Sequence, residues 1–284
     1  EGVSCGITNI EYTEFKKRGI EDAPTTPNGK YSLFPSNTNI LFVDLQKMRE
    51  KAQNTPIPGM LINMKSTVLY TDAEGEKREI KGGRLESTMQ NVADFLTDSF
   101  PKPLEKGEQN KLQTFVTYNT RRKTSAFTKS LYKKGESAIG TPEGAFYERM
   151  HNAYDLLKNY CNVEVPKVQE EDEFLREGPS FIFEYHPGLG PLFEVIGQKI
   201  QGGKFEKGAE LQLELSEVHI ESLILDGSLI IKADSPLGKK DEKGTISYQN
   251  QGGRCLLKNI RVRNRGIDSK AENCYWSGKI ARRE

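Results

Sequence analysis

From residue 209 onward the chain is patterned in a way few folds can accommodate. Leu211, Leu213 and Leu215 alternate with Gln212 and Glu214. Val218-His219-Ile220, Leu223-Ile224-Leu225 and Leu229-Ile230-Ile231 follow, separated by short polar turns such as Asp226-Gly227. Alternation of this kind marks half-buried strands, because successive side chains point to opposite faces. Cys255-Leu256-Leu257 and Ile260-Arg261-Val262-Arg263 continue the series. Strands so short and close leave no room for crossover helices, so the spacing predicts a separate all-β unit, a solenoid or β-helix with an irregular repeat. In the basic run 261–265 the cations alternate with Ile260 and Val262, the pattern of a wet strand face rather than a nucleic-acid contact. Glycines at 202, 203 and 208 place the boundary, giving a partial α/β domain at 1–203 and a β-rich domain at 204–284.

Upstream, strands and helices alternate, which argues an α/β layer structure. Thr141-Pro142-Glu143 supplies a capping hydroxyl, a proline at the first helical position and an acid in the first turn. The helix it starts runs to about Cys161 and buries Phe146, Met150, Ala153, Tyr154 and Leu157; His151 on it has no nearby partner in sequence and reads as a surface or satisfied histidine. A buried strand at 180–186, a rigid Pro187-Gly188-Leu189-Gly190-Pro191 turn and a short helix at 192–200 follow. Nearer the start, 9–15 reads as a strand, and 40–51 as a strand end or turn feeding a helix capped by asparagine or threonine. Residues 59–71 form a strand with a hairpin turn at 72–75, and 115–119 another strand. The basic Arg121-Arg122-Lys123 is either a solvated loop or a clamp on a phosphate or partner.

Between these lies 81–96, where Leu85, Met89, Val92 and Leu96 recur at helical spacing behind Gly82-Gly83. The spacing predicts a helix with one buried stripe, Glu86, Gln90 and Asp94 on another face, and Lys81 and Arg84 at its entry. Such an N-terminus holds an anion such as phosphate; the plainer alternative is an amphipathic helix with its charges in water.

Composition narrows the partners. Forty-one Lys and Arg against 40 Asp and Glu give a net charge of +1, with no general attraction for nucleic acid or an anionic membrane. No apolar run approaches a membrane span and no secretory signal is visible, so the expected compartment is the cytoplasm, or the plastid stroma for a plant or algal source. The four cysteines, at 5, 161, 255 and 274, are scattered, which favours free thiols over a disulfide frame or zinc site, and three histidines make a histidine metal centre unfavourable. The chain starts on Glu1 beside a strand and stops just after a patterned β region, as a fragment of a longer protein would.

Several segments, in order along nearly the whole chain, resemble a known family. They are Asn9-Ile10-Glu11-Tyr12, Phe34-Pro35-Ser36-Asn37-Thr38-Asn39, Gly83-Arg84-Leu85-Glu86-Ser87-Thr88-Met89-Gln90-Asn91 and His186-Pro187-Gly188-Leu189-Gly190-Pro191-Leu192. Later come Asp226-Gly227-Ser228-Leu229-Ile230-Ile231 and Asn264-Arg265-Gly266-Ile267-Asp268 followed by Tyr275-Trp276. Together these resemble the UTP–sugar-1-phosphate uridylyltransferases, and most closely the UDP-glucose pyrophosphorylase-like enzymes of plastids and related bacteria. The resemblance implies the later part of a mixed-sheet nucleotidyltransferase (GT-A-like) domain followed by a C-terminal β-helix.

It also implies the reaction of UTP with a hexose 1-phosphate to UDP-sugar, UDP-glucose first among them, and pyrophosphate, with Mg2+ whose ligand lies outside this chain. Carried over by position, Glu11 and Asn37 contact the hexose; Asn39, and Arg84 at the expected helix entry, join them in the expected substrate-binding set. A carboxylate suits the task because it accepts hydrogen bonds from two adjacent hydroxyls. Two departures matter. The family's glycine-rich nucleotide loop has no counterpart here, since Gly82-Gly83 and Gly202-Gly203 lack the spacing, so the isolated chain is expected to be inactive. The family's phosphate-binding lysine after Pro-Leu is replaced by Phe193, leaving Lys199 or Lys204 as substitutes. The competing classes are a non-catalytic carbohydrate-binding module and an oligomerisation module acting through the β-rich region.

Overall fold

The computed structural model describes residues 2–29, 31–54, 60–87, 89–233, 239–247, 253–271 and 280–283. Cys274 and Tyr275-Trp276 lie outside them. The chain packs as two units, Glu1–Arg121 and Arg122–Glu284. Residues 203 and 204, where the sequence places a boundary, lie in the strand Ile200–Phe205 of the second unit.

In the first unit, β1 (Val3–Cys5) is followed by α1 (Tyr12–Phe15), α2 (Leu45–Asn54), β2 (Met60–Thr71), β3 (Lys77–Ser87) and β4 (Asp98–Phe100). Its described strands form two antiparallel pairs, β1 with β4 and β2 with β3. The strand expected at 9–15 is the helical turn α1, started by Glu11 in extended backbone. Helix α2 is where 40–51 predicts it, but its cap is Asp44, whose Oδ1 accepts from the amides of Gln46 at 2.9 Å and Lys47 at 3.0 Å. Asp72 closes the β2–β3 turn, accepting from the amides of Glu74 and Glu76, with Gly75 left-handed. At 115–119 no strand forms, because no edge pairs with it; Phe115 and Tyr118 stand exposed.

The helix expected over 81–96 is absent. Residues to Ser87 are β3, paired with β2 from Met60↔Ser87 to Thr71↔Lys77, and Met89–Phe95 is a separate 3-10 stretch. The register slips between Asn63 and Ser66, opposite Gly82, Gly83 and Arg84. A Cβ on Gly82 would come within 2.5 Å of Val68 Cγ2, and one on Gly83 within 2.9 Å of Ile62 Cγ2. The two glycines therefore admit the side chains of β2 at a bulge rather than turning the chain into a helix. Leu85 is 67% exposed while Val92 is buried, so the four apolar residues share no stripe.

The second unit begins at the single turn α3 (Arg121–Thr124) and continues through α4 (Pro142–Asn159), α5 (Glu171–Glu177), β5 (Phe181–Tyr185), α6 (Phe193–Lys199), β6 (Ile200–Phe205), β7 (Ala209–Glu214), β8 (Glu217–Asp226) and β9 (Ser228–Lys232). A small hairpin, β10 (Lys239–Lys240) with β11 (Ile246–Ser247), precedes β12 (Arg254–Arg263). The long strands stack in parallel as β5-β7-β9 and β6-β8-β12. Leu211 aligns with Leu229, a spacing of three six-residue steps, so each coil lies over the last. Corners are made by left-handed residues in register: Gly202, Ser222 and Asn259 sit at φ 71, 61 and 52, and Asn162 continues the column below, where Cys161 O accepts from Gly202 N at 2.8 Å. Glycine and asparagine tolerate this conformation well, and serine less so. Rows such as Phe183, Leu211 and Leu229 fill the interior. Helix α4, capped by Thr141 Oγ1 accepting from Gly144 N, covers the first coil with Met150, Ala153, Leu156 and Leu157. Burial pushes the Cys161 thiol up to about 12, so it sits in this core as an inert apolar group.

Candidate functional site

Three of the segments that carried the family resemblance meet at one side chain. Asn37 Nδ2 donates to Asn9 Oδ1 at 2.9 Å and to Gln90 Oε1 at 3.4 Å, while its Oδ1 accepts from the Asn39 amide at 2.8 Å. That last bond is an Asx turn, which holds Asn39 in the left-handed region at φ 58. Phe34, in the same loop, packs edge-on against Phe15 at 5.3 Å between ring centroids and anchors the loop to α1.

Glu11 follows Asn9 by two residues and opens α1, its carbonyl accepting from Glu14 N at 2.8 Å. Its side chain makes no capping bond and is exposed, so the carboxylate stands free of the helix beside the amide junction in sequence. Sequence reasoning chose Asn37 as the contact residue. In the structure both Asn37 amide protons are used, so Asn37 joins the three segments. Sequence reasoning assigned no role to its partners Asn9 and Gln90, although each lies inside a motif that carried the resemblance.

The rest of the expected set is placed differently. Arg84 is on β3 opposite Asn63, with its guanidinium 3.4 Å from Glu86 and 67% exposed. It stands at no helix N-terminus, so the anion site expected at 81–96 is not formed. Lys199 belongs to the second unit, where its Nζ donates to Leu189 O at 2.6 Å and lies 3.3 Å from Glu217 Oε1. Lys199 holds the Glu217 carboxyl below its ordinary range, with Arg254 adding to the effect. This lysine ties α6 to the β-helix and is not a free phosphate ligand. Lys204 is likewise engaged, by Glu206 at 3.0 Å and Glu164 at 3.6 Å. Arg122 of the basic run bonds Asn152 Oδ1 and Asp155 Oδ2, which makes it a brace on α4. Among the described residues no group of three or more His, Cys, Asp or Glu side chains converges on one point. Gly203 lies in β6 at φ 113, its Cα so close to β8 that a Cβ would meet Leu223 O at 2.2 Å; it is a β-helix contact, not a nucleotide loop.

The parallel strands of the second unit thus stack in short repeats, in a β-helix-like arrangement, and residues 200–284 match the family described as UGP3-like, C-terminal hexapeptide repeats. Over 98% of its length the chain is 37% identical to the chloroplastic UTP–glucose-1-phosphate uridylyltransferase 3 of Arabidopsis thaliana, and it spans 32% of that relative's length. The resemblance to the UTP–sugar-1-phosphate uridylyltransferases stands on this match. No solved structure matches the chain. No helix among the described residues is long and apolar enough to cross a membrane.

Proposed function

We propose that the chain is the sugar-side portion, with its β-helix, of a uridylyltransferase that joins UTP and a hexose 1-phosphate, glucose 1-phosphate first among candidates. The observation that carries this reading is the junction of Asn9, Asn37 and Gln90, three segments distant in sequence and drawn from the motifs shared with the family. Such a junction gathers side-chain amides two residues from Glu11 in sequence, and amide donors with a carboxylate acceptor are what vicinal hydroxyls need.

In that reading Glu11 accepts from two adjacent hydroxyls, Asn9 and Gln90 donate to ring or hydroxyl oxygens, and Asn37 with Asn39 fixes their geometry. Holding the sugar phosphate in line with the α-phosphorus is the main catalytic contribution these residues make, since phosphoryl transfer depends largely on positioning. Residues outside this set grip the triphosphate. By itself the chain forms little UDP-sugar. For a plant or algal chain the plastid stroma is the compartment, by analogy with the relative's name.

The test is steady-state kinetics of Glu11→Ala in the full-length reading frame. A loss of about ten- to hundredfold in kcat/KM for glucose 1-phosphate is expected, the worth of hydrogen bonds to a charged group, with the KM for UTP unchanged. Equal losses toward both substrates, or none, would remove Glu11 from the sugar site.

A further inference from the structure

The second unit contains a cavity of about 980 Å³ at one corner of the β-helix. We infer that it is a binding site for a phosphate-bearing small molecule of sugar-phosphate or nucleotide size.

The corner is built from Gly208, Gly227 and Gly266, all at positive φ and all lining the cavity. A Cβ on Gly266 would stand 3.1 Å from Gly227 Cα, so successive coils close on bare backbone and nothing protrudes into the space. Around this floor stand six cations, Arg176, Lys207, Arg263, Arg265, Lys270 and Arg283, against the carboxylates of Glu177 and Asp226. A chain of net charge +1 therefore concentrates positive charge in one concave place, and cations gathered in a cleft raise the local potential that attracts an anion.

Ordinary surface pairing leaves part of this charge unbalanced. Arg263 reaches Asp226 only at 3.4 Å with its side chain 84% exposed, and Arg283 reaches Asp268 at 4.0 Å. Arg176 pairs with its own neighbour Glu177 at 3.1 Å, with both exposed. Exposed pairs of this kind hold their partners weakly. Lys207 and Lys270 have no ion-pair partner among the described residues. Guanidinium forks and ammonium groups together are the donors that phosphate oxygens select. The volume suits a small ligand rather than a flat macromolecular surface. The site belongs wholly to the second unit and does not depend on the sugar-binding reading of the first.

Isothermal titration of the chain with inorganic pyrophosphate tests the assignment. One-to-one saturable binding is expected, weakened about tenfold or more in the Lys207→Glu/Lys270→Glu double variant, since two of six facing charges are reversed. A control pair on exposed residues that do not line the cavity, Lys133→Glu/Lys134→Glu, changes the net charge equally and is expected to leave the affinity within about twofold. Far-UV circular dichroism establishes that both variants are folded. Absence of saturable binding to the unmodified chain, or equal weakening by the two pairs, overturns the proposal, because the second result is what diffuse net charge would give.

Discussion

The two units use similar sequence compositions to opposite ends. In the second, side chains from Met150 to Leu225 make one continuous core with members at 0–5% exposure. In the first, Val92 is the single apolar side chain among the described residues to be fully buried, while Phe42, Leu45, Ile62, Leu69 and Leu85 face outward. Order in the first unit comes from a hairpin ladder, Asx turns and side-chain amides; order in the second comes from stacking. The lesson is that a β-helix coil supplies its neighbour's core, whereas the first unit depends on partners distant in sequence.

The sharpest way to break this contrast is a matched pair of truncations followed by denaturant unfolding. Leu211→Ala empties a fully buried site and should cost about 3 kcal/mol. Leu85→Ala, at 67% exposure, should cost less than about 0.5 kcal/mol. Equal costs would mean that the first unit has a core of its own.

A smaller effect is expected at the strap that closes the β-helix. Glu210 is fully buried and receives two bonds from Arg282, at 2.7 and 3.1 Å. Arg282→Ala strands that carboxylate and should lower the stability of the second unit by about 2–3 kcal/mol, while Glu210→Gln with Arg282→Met should recover much of the loss. A thermal melt of each variant decides it; an unchanged midpoint for Arg282→Ala would show the strap to be idle.

The pH response is smaller again. His151 sits edge-on to Tyr147, and burial, then Arg122, hold its imidazole below its ordinary 6.5, with Asp155 and Glu170 opposing. A group with a lowered folded pKa binds fewer protons folded than unfolded, so its contribution is complete above 6.5 and is lost as pH falls through the folded value. Glu217 has the same sign below its ordinary 4.5. The second unit should therefore lose stability on acidification from neutrality, and His151→Gln should flatten the first part of that loss. A profile that rises toward pH 5 would contradict it.

Much of the second unit was legible in the sequence because its determinants are local. Thr141-Pro142-Glu143 states a helix start without reference to anything distant, and the Leu211 to Ile231 alternation states its strands within one coil. What could not be read was decided across the chain. Leu85, Met89, Val92 and Leu96 fall at helical spacing by coincidence, and pairing with β2 overrode it. Lys199 looked available until α6 placed Leu189 O and Glu217 around its amine. For the candidate site, three of the motif segments come together through Asn37, which sequence separation hides. They did not reveal that Asn37 would be consumed as a clasp, since Asn9 and Gln90 lie 28 and 53 residues away.

Hydrogen exchange on the chain with and without glucose 1-phosphate probes the account most directly, because it reads both units at once. Slow exchange in β7 and β8 regardless of ligand is predicted, with fast exchange in the first unit that slows around Asn9, Asn37 and Gln90 when the sugar phosphate is added. Protection by ligand confined to the second unit, or none around those three residues, would contradict it.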